Sequence, residues 1–354
     1  MTLLKQICFL RLLALTFTGC GNELTETQRL VVSQVLAISP SGDTVDLSPF
    51  SQASVSRSGF VAVSKVISKS GENIALFDPS GRLIKLVGRP GGGPGEFKAI
   101  GSIGFGPGDS LFAHDVQTNL IVVHSPPPAL SYVRSFAVEV RGDVKVWPNS
   151  ILVAGGWSRG TLQPTREIDW SGALVRSFGP PIETTTPELE FRLPIPAGPA
   201  LIWAAFNQRY VIELMTPDSV VRRLVRDVDW FPDDTSTKSP LPWSERPRAR
   251  IYALSLDSAD VLWVLVRRAA ANWRAVGHPT AVPFQPSRPP VSVRLAELFE
   301  GVVEALDPST GAVLGSSVVS GSVLGFAGSR LLYDASEDSS GMVTMRILRL
   351  DRRR

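Results

Sequence analysis

The chain has 354 residues, of which 44% are hydrophobic, and a formal net charge of +3 at pH 7. Such a balanced charge argues against a nucleic-acid-binding protein, which concentrates basic residues on one face. The 30 glycines and 28 prolines argue against a helical bundle and favour a fold with many turns. All-β folds of this length often form a single unit.

Residues 1–19 have the pattern of a secretory signal peptide. Lys5 supplies a positive charge, and a short apolar segment that contains Arg11 ends at Phe17. This segment is shorter than the ~20 apolar residues that span a bilayer. We therefore expect the protein to be exported and the segment to be removed.

Residues 18–20, Thr-Gly-Cys, resemble the lipobox of bacterial lipoproteins, in which two small residues precede a cysteine. The resemblance implies cleavage before Cys20, diacylation of its sulfur and a lipid anchor in the membrane. Two acyl chains suffice for stable anchoring. Phe17 stands where this family usually has leucine, and an ordinary cleaved signal peptide is the alternative. Gly21 favours the outer membrane over the inner membrane.

Only two cysteines occur in the sequence, Cys8 and Cys20. Cys8 would be removed with the signal peptide and Cys20 would carry lipid. The mature chain is then expected to hold neither a disulfide nor a thiolate metal site. Packing alone must stabilise it in an oxidising compartment.

A strand-turn-strand unit recurs along the chain, and its clearest copy covers residues 73–88. There an apolar strand enters an Asp-Pro-Ser-Gly turn, in which Asp and Pro favour a tight turn and Gly supplies a positive φ. The positions that mark the phase of the repeat, separated by 46, 45, 47 and 91 residues, are Asp78, His124, Asp169, Thr216 and Asp307. A period of 40–50 residues built from short strands is typical of propeller blades. We predict an all-β fold, a β-propeller of six four-stranded blades.

The doubled last interval indicates an insertion. Residues 261–266 predict an inner strand and residues 302–306 its outer partner, whereas residues 267–301 between them are rich in alanine and proline. We interpret residues 267–301 as a long loop inserted within one blade. Seven blades are the alternative, if this segment hides one.

Residues 30–38 predict one further strand ahead of the first blade. We expect this strand to pair as the outermost strand of the last blade, because closure of the ring removes exposed strand edges. The propeller would then occupy residues 30–354. Residues 20–29 would form a short polar tether to the lipid on Cys20.

The most specific phrase in the chain lies at residues 88–97, Gly-Arg-Pro-Gly-Gly-Gly-Pro-Gly-Glu-Phe, and precedes a Gly-Asp turn and a strand that ends in Asp. It resembles the blade junction of NHL-repeat propellers over about residues 70–126. The residues that match this junction are Gly88, Gly91, Gly93, Pro94, Gly95, Phe97, Asp109 and Asp115. The resemblance implies a six-bladed propeller, a class used mainly for binding protein, glycan or RNA. Ala99 and Ile100 depart from the proline that this junction usually contains.

A phosphate-binding loop is the other interpretation of this phrase. Such a loop needs Gly-Lys followed by Ser or Thr at the start of a helix, whereas here Glu96 and Phe97 follow and strands flank the turn. We expect a tight connection between blades, with glycines required by its geometry and Phe97 packed between sheets.

Candidates for catalysis are few. The three histidines, His114, His124 and His278, show no zinc-binding spacing, and no Gly-x-Ser-x-Gly elbow is present. His114 and Asp115 would be the first candidates for a metal-dependent site in the central channel. Trp243 and Trp273, in loops rich in proline and arginine, are candidates for partner contacts.

We therefore expect a lipid-anchored propeller of the cell envelope that binds or scaffolds a protein or glycan partner. We expect binding rather than catalysis, with no catalytic residue, metal or cofactor and no nucleic-acid partner. The alternative is a metal-dependent propeller hydrolase or lyase of the lactonase type. The choice of binding rests partly on analogy, because a fold does not by itself imply a function.

Overall fold

The computed structural model describes most of the chain. The described residues are 28–39, 45–48, 51–138, 144–146, 150–154, 157–158, 161–162, 164–183, 192–231, 246–274, 295–338 and 342–352.

Almost all regular structure in this part of the chain is β-strand. The strands of the first half are β1 (Gln28–Ile38), β2 (Val45–Asp46), β3 (Gln52–Val55), β4 (Val61–Ser64), β5 (Ile67–Ser68), β6 (Ile74–Phe77), β7 (Leu83–Val87), β8 (Ile100–Phe105), β9 (Leu111–Asp115), β10 (Leu120–His124), β11 (Tyr132–Ala137), β12 (Val144–Val146), β13 (Ile151–Val153), β14 (Trp157–Ser158), β15 (Thr161–Leu162), β16 (Thr165–Ile168), β17 (Leu174–Phe178) and β18 (Ile182–Glu183). The strands of the second half are β19 (Arg192–Gly198), β20 (Leu201–Phe206), β21 (Val211–Met215), β22 (Val220–Val225), β23 (Arg250–Leu256), β24 (Leu262–Ala269), β25 (Phe299–Leu306), β26 (Val313–Ser320), β27 (Val323–Gly328), β28 (Leu331–Glu337) and β29 (Val343–Arg352). Two short helices complete the described elements, a 3-10 turn at Pro107–Asp109 and α1 (Leu295–Leu298).

Six four-stranded antiparallel units, here called blades 1 to 6, follow one another in the described residues. In order from first to last strand they are β3-β4-β6-β7, β8-β9-β10-β11, β12-β13-β16-β17, β19-β20-β21-β22, β23-β24-β25-β26 and β27-β28-β29-β1. Gln28 and Arg29 of β1 also pair in parallel with Gly315 and Ser316 of β26, so blades 5 and 6 share one eight-stranded sheet.

The blades are arranged in a ring. The first strands of blades 1, 2 and 3 contact one another in order, and blade 3 contacts blade 4 through β13 and β19. The contacts continue from β19 to β23, from β23 to β27, and from β27 back to β3. The chain is therefore a β-propeller, with the first strand of each blade nearest the axis. Six blades for the whole chain remains the prediction made from the sequence.

The N-terminal strand completes the last blade, as the sequence predicted. Strand β1 runs antiparallel to β29, with Leu30 opposite Arg352 and Ile38 opposite Met345. Ile38 and Met345 are fully buried in an apolar cluster that extends into blade 1. The two ends of the chain thus meet in one sheet, which removes two exposed strand edges.

The five phase marks of the repeat lie at the turn between the third and fourth strands of blades 1 to 5, since those third strands end at residues 77, 124, 168, 215 and 306. The doubled interval before Asp307 contains two long connections, residues 226–249 between blades 4 and 5 and residues 270–298 between β24 and β25. Strand β24 extends to Ala269 and β25 begins at Phe299, so strand residues occupy both ends of the range 267–301 that the sequence assigned to a loop. Cross-strand pairing with β23 and β25 accounts for this extension.

The core consists of apolar layers between neighbouring blades. In β24, Leu262, Val264 and Val266 pack towards blade 4, whereas Trp263 and Leu265 pack towards blade 6. Because successive side chains of a strand point to opposite faces, this strand serves two interfaces and its sequence is apolar throughout. Among the described residues, no helix has the length and apolar character needed to cross a membrane.

Candidate binding face

The connections between strands emerge at two opposite ends of the propeller, because successive strands run in opposite directions. The turns between first and second strands and between third and fourth strands lie at one end, here called the turn face. The loops between second and third strands and the links between blades lie at the other end, here called the loop face. The two faces differ in how they are built.

The turn face is closed by tight turns that use their own acidic side chains. The carboxylate oxygen of Asp78 accepts hydrogen bonds from the backbone N–H of Ser80 at 2.9 Å and of Arg82 at 3.0 Å. Asp169 and Asp307 make the corresponding bonds to residues two positions later, both at 2.7 Å. Hydrogen bonds from the Ser80 hydroxyl and the backbone lower the pKa of Asp78 to about 2. These repeated acids therefore shape the turns.

The loop face carries the additional structure of the fold. Two small accessory sheets, β2-β5 and β14-β15-β18, are formed by loops and links at this end. Residues 270–274 and helix α1, which are the described ends of the connection at residues 270–298, also lie here, and Ala270 N–H donates to the Leu298 carbonyl at 2.9 Å. The long connection thus begins and ends at adjacent points on blade 5.

The glycine-rich segment on the loop face packs tightly between blades 1 and 2. Gly88 has a φ of +83°, and a Cβ atom there would lie 2.8 Å from the Phe97 ring. Phe97 is 1% exposed and lies in the apolar core between these blades. A Cβ atom at Gly91 would lie 2.0 Å from the Glu96 carboxylate, which accepts from the Gly93 N–H at 2.9 Å. Close packing accounts for Gly88, and the φ of +153° at Gly91 favours glycine there.

A shallow pocket of ≈ 180 Å³ lies between this segment and the outer strands of blade 2. Its walls include Pro94, Gly95 and Glu96 on one side and Leu120 and Tyr132 on the other. Gly95 has a φ of +76°, and an added Cβ atom would lie 3.3 Å from Tyr132. The segment therefore lies directly against the outer strands.

The two acidic residues of the predicted junction occupy opposite faces. Asp109, on the turn face, accepts from the backbone N–H groups of Arg57 and Ser58 at 3.0 and 3.1 Å and thereby joins blade 2 to blade 1. Asp115, on the loop face, accepts from four backbone N–H groups, of which Lys98 at 2.8 Å and Gln117 at 2.9 Å are the nearest. Burial opposes ionisation of Asp115, but these hydrogen bonds outweigh it and lower its pKa.

These contacts give Asp115 a structural role. Its neighbour His114 is 2% exposed, with Nε2 3.5 Å from the Asn119 side-chain oxygen. Within the described ranges no three His, Cys, Asp or Glu side chains are grouped as a metal site would require. The structure thus does not gather further ligands around His114 and Asp115, the pair that the sequence offered for a channel site.

Of the predicted partner-contact residues, Trp273 lies half-buried at the start of the connection at residues 270–298, and the Arg274 guanidinium lies 5.2 Å from the centre of its ring. Trp243 and the predicted lipidation site Cys20 lie outside the described residues.

Sequence reasoning missed a group of arginines at the loop-face end of blade 5. We call it the arginine patch, and its described members are Arg246, Arg248, Arg250, Arg267, Arg268 and Arg274. Arg250 and Arg267 lie directly opposite each other on β23 and β24. The signal was present in the sequence, since residues 261–296 contain five arginines and no aspartate or glutamate.

A buried polar network next to this patch joins blades 4 and 5. Glu304, which is 3% exposed, accepts hydrogen bonds from the Tyr210 hydroxyl and, at 2.9 Å, from the Arg226 guanidinium. Burial and the adjacent Glu304 carboxylate raise the pKa of Tyr210 well above its usual value, so the hydroxyl keeps its proton and donates. The network thus holds blades 4 and 5 together near the loop face.

Comparison with known proteins shows the fold. An exported protein of Bacteroides fragilis has 10% sequence identity and a TM-score of 0.52, with 93% of this chain and 98% of that chain covered. Virginiamycin B lyase of Staphylococcus aureus has 11% identity and a TM-score of 0.45 over 91% and 100% of the two chains. Aldose sugar dehydrogenase of Streptomyces coelicolor, in its PQQ-bound form, has 13% identity and a TM-score of 0.48 over 92% and 99%. No family model and no curated protein matches this chain.

Proposed function

We propose that this protein is an exported lipoprotein whose loop face binds a protein or glycan partner. The observation that carries this proposal is the difference between the two faces. On the turn face, the acidic side chains of three turns are bonded to their own backbone. On the loop face lie the accessory sheets, the two described ends of the long connection and the arginine patch. Binding residues tend to lie on loops that a rigid scaffold holds in place.

The direction of β1 agrees with this assignment. Strand β29 begins at the loop face, and β1 is antiparallel to it, so β1 begins at the turn face. Its first residue, Gln28, pairs with Gly315 near the start of β26. A lipid on Cys20 would precede Gln28 by eight residues, a distance of at most about 28 Å when fully extended. The anchor would therefore hold the turn face towards the membrane and leave the loop face free for a partner.

Shortening the long connection tests this proposal. Because Ala270 and Leu298 are hydrogen-bonded to each other, residues 271–297 can be replaced by Asn-Gly, a sequence that favours a two-residue turn. We expect a stability equal to or above that of the wild type, since a shorter loop lowers the entropy cost of closure. When intact cells are treated with a crosslinking reagent, we expect the full-length protein to form covalent adducts with its partner and the shortened protein to form none. The adducts are detected by their lower electrophoretic mobility after the protein is isolated.

The matched control alters the turn face of blade 4 instead. Asp218→Asn with Ser219→Gly places the same Asn-Gly pair in an exposed turn and should leave the adducts unchanged. Adducts that persist in the shortened protein, or that disappear in the control, would contradict the assignment of the loop face.

A further inference from the structure

The arginine patch contains a buried cation without a carboxylate partner among the described residues. Arg267 is 5% exposed, and its guanidinium donates to the Val323 backbone carbonyl at 2.9 Å. It also lies 4.0 Å from the centre of the Tyr252 ring and 5.8 Å from the centre of the Phe299 ring. A buried charge is costly unless it is paired, and a backbone carbonyl and two aromatic rings compensate it only in part.

The residue opposite Arg267 increases this imbalance. Arg250 is its direct partner across β23 and β24, and like charges in such positions repel each other. The Arg250 guanidinium donates to the neutral side-chain oxygen of Asn207 at 3.2 Å. Asn207 is itself held by a bond from its amide nitrogen to the Ile251 carbonyl at 3.0 Å. The register thus places two cationic residues opposite each other at the loop-face end of blade 5, and their guanidinium groups donate to neutral acceptors of the two neighbouring blades, Asn207 of blade 4 and Val323 of blade 6.

The acids nearest along β25 are already engaged. Glu300 accepts from Arg268 at 2.6 Å, and Glu304 is bound by Arg226 and Tyr210. Residues 261–296 contain neither aspartate nor glutamate, so this length of the chain supplies no carboxylate. An anion brought by a ligand would balance Arg250 and Arg267, since guanidinium groups bind carboxylate and phosphate oxygens with two parallel hydrogen bonds.

Tyr252 favours a ligand with an apolar ring face as well as a charge. Its side chain is 40% exposed on the first strand of blade 5, next to the propeller axis, and has an apolar body and a polar tip. Trp273 lies at the start of the connection that follows β24. A sugar ring that carries an acidic group matches this combination of aromatic surface and guanidinium groups.

We propose that Arg250, Arg267 and Tyr252 form a recognition site for an acidic saccharide, in which an oxyanion binds the arginines and the sugar ring contacts Tyr252. This inference rests on the proposed function, because it names the chemistry that the loop face recognises. The oxyanion is a carboxylate of the saccharide.

Calorimetric titration of the full-length protein in detergent tests the site. The probes are a galacturonate hexamer, a neutral galactose hexamer, a glutamate hexapeptide and inorganic phosphate. We expect binding of the galacturonate hexamer that weakens as salt is added, and no binding of the neutral hexamer. Arg250→Gln and Arg267→Gln should each weaken binding at least tenfold. Arg267→Lys should recover part of the loss, since it keeps the charge but not the paired geometry.

The control is Arg222→Gln, which removes the same charge from an exposed site at the turn-face end of blade 4 and should leave binding unchanged. Circular dichroism of each variant monitors folding. If Arg267→Gln unfolds, the half-buried Arg250→Gln carries the test.

Four results would overturn the inference. They are absence of binding to the galacturonate hexamer, binding unaffected by both arginine variants, preferential binding of the glutamate hexapeptide, and displacement of the hexamer by an equal concentration of phosphate. The crosslinked adducts in cells distinguish this failure from failure of the proposed function. If the adducts persist in the arginine variants, the loop face is still the binding face and only the inferred saccharide site is wrong.

Discussion

Replacement of Phe97 by alanine is expected to lower the free energy of unfolding by about 3–5 kcal/mol, as for other large aromatic side chains deleted from a core. Phe97 is 1% exposed and contributes to the core between blades 1 and 2. Its ring stacks on that of His124, with centroids 6.2 Å apart. Chemical denaturation followed by circular dichroism measures the loss.

A double-mutant cycle with Gly88 shows whether this packing is what requires the glycine. Gly88→Ala alone should be strongly destabilising, because the new Cβ atom would lie 2.8 Å from the Phe97 ring at a φ of +83°. In the Phe97→Ala background the clash is removed, and only the backbone strain of roughly 1–2 kcal/mol should remain.

Gly108→Ala is the matched control, since Gly108 has a φ of +60° and no atom within 4 Å of an added Cβ. It should show the backbone strain alone. If Gly88→Ala lowers the free energy of unfolding equally with and without the Phe97 side chain, the ring is not what requires glycine at position 88.

Replacement of Glu304 by alanine is the second large effect that we expect, a loss of about 3 kcal/mol in the free energy of unfolding. The substitution leaves the buried Tyr210 hydroxyl without its acceptor and Arg226 without its carboxylate. An unpaired buried polar group costs about 1–3 kcal/mol by itself. Because the network joins blades 4 and 5, thermal denaturation monitored by tryptophan fluorescence should report the loss.

Glu300→Ala is the control on the same strand. Its side chain is about a quarter exposed and pairs with Arg268 at 2.6 Å. We expect a smaller loss than for the fully buried Glu304, because solvent screens a partly exposed pair. If Glu300→Ala lowers the free energy of unfolding as much as Glu304→Ala does, burial does not explain the difference that we expect between the two pairs.

Most of the features that could be predicted from the sequence are local ones, and closure of the ring is the exception. Asp78 and Gly81 lie within a few residues of each other in one tight turn, so that turn follows from composition and spacing. The strand at residues 30–38 had no local partner, and closure of the ring gave it one. The phase of the repeat likewise places the third strands correctly, because each blade repeats the same turn.

The features that could not be predicted depend on contacts between distant residues. Tyr210 and Glu304 are 94 positions apart, and nothing near either one distinguishes it from a surface residue. The position of Arg250 opposite Arg267 follows only from the register of β23 and β24, which the sequence does not give. Adjacency in the sequence suggests Asp115 and His114 as a channel site, whereas the Asp115 oxygens accept from backbone N–H groups that the sequence does not reveal.

The central claim is that the loop face, not the turn face, meets the partner, and two alanines of blade 5 allow a direct comparison. Ala259 and Ala271 are both exposed, and they lie before and after β24, on the turn face and the loop face respectively. A photoactivatable amino acid would replace each in turn in the full-length protein, and crosslinking would be measured in intact cells. We expect adducts from position 271 and few from position 259. Adducts mainly from position 259, or equal yields from both, would contradict the account.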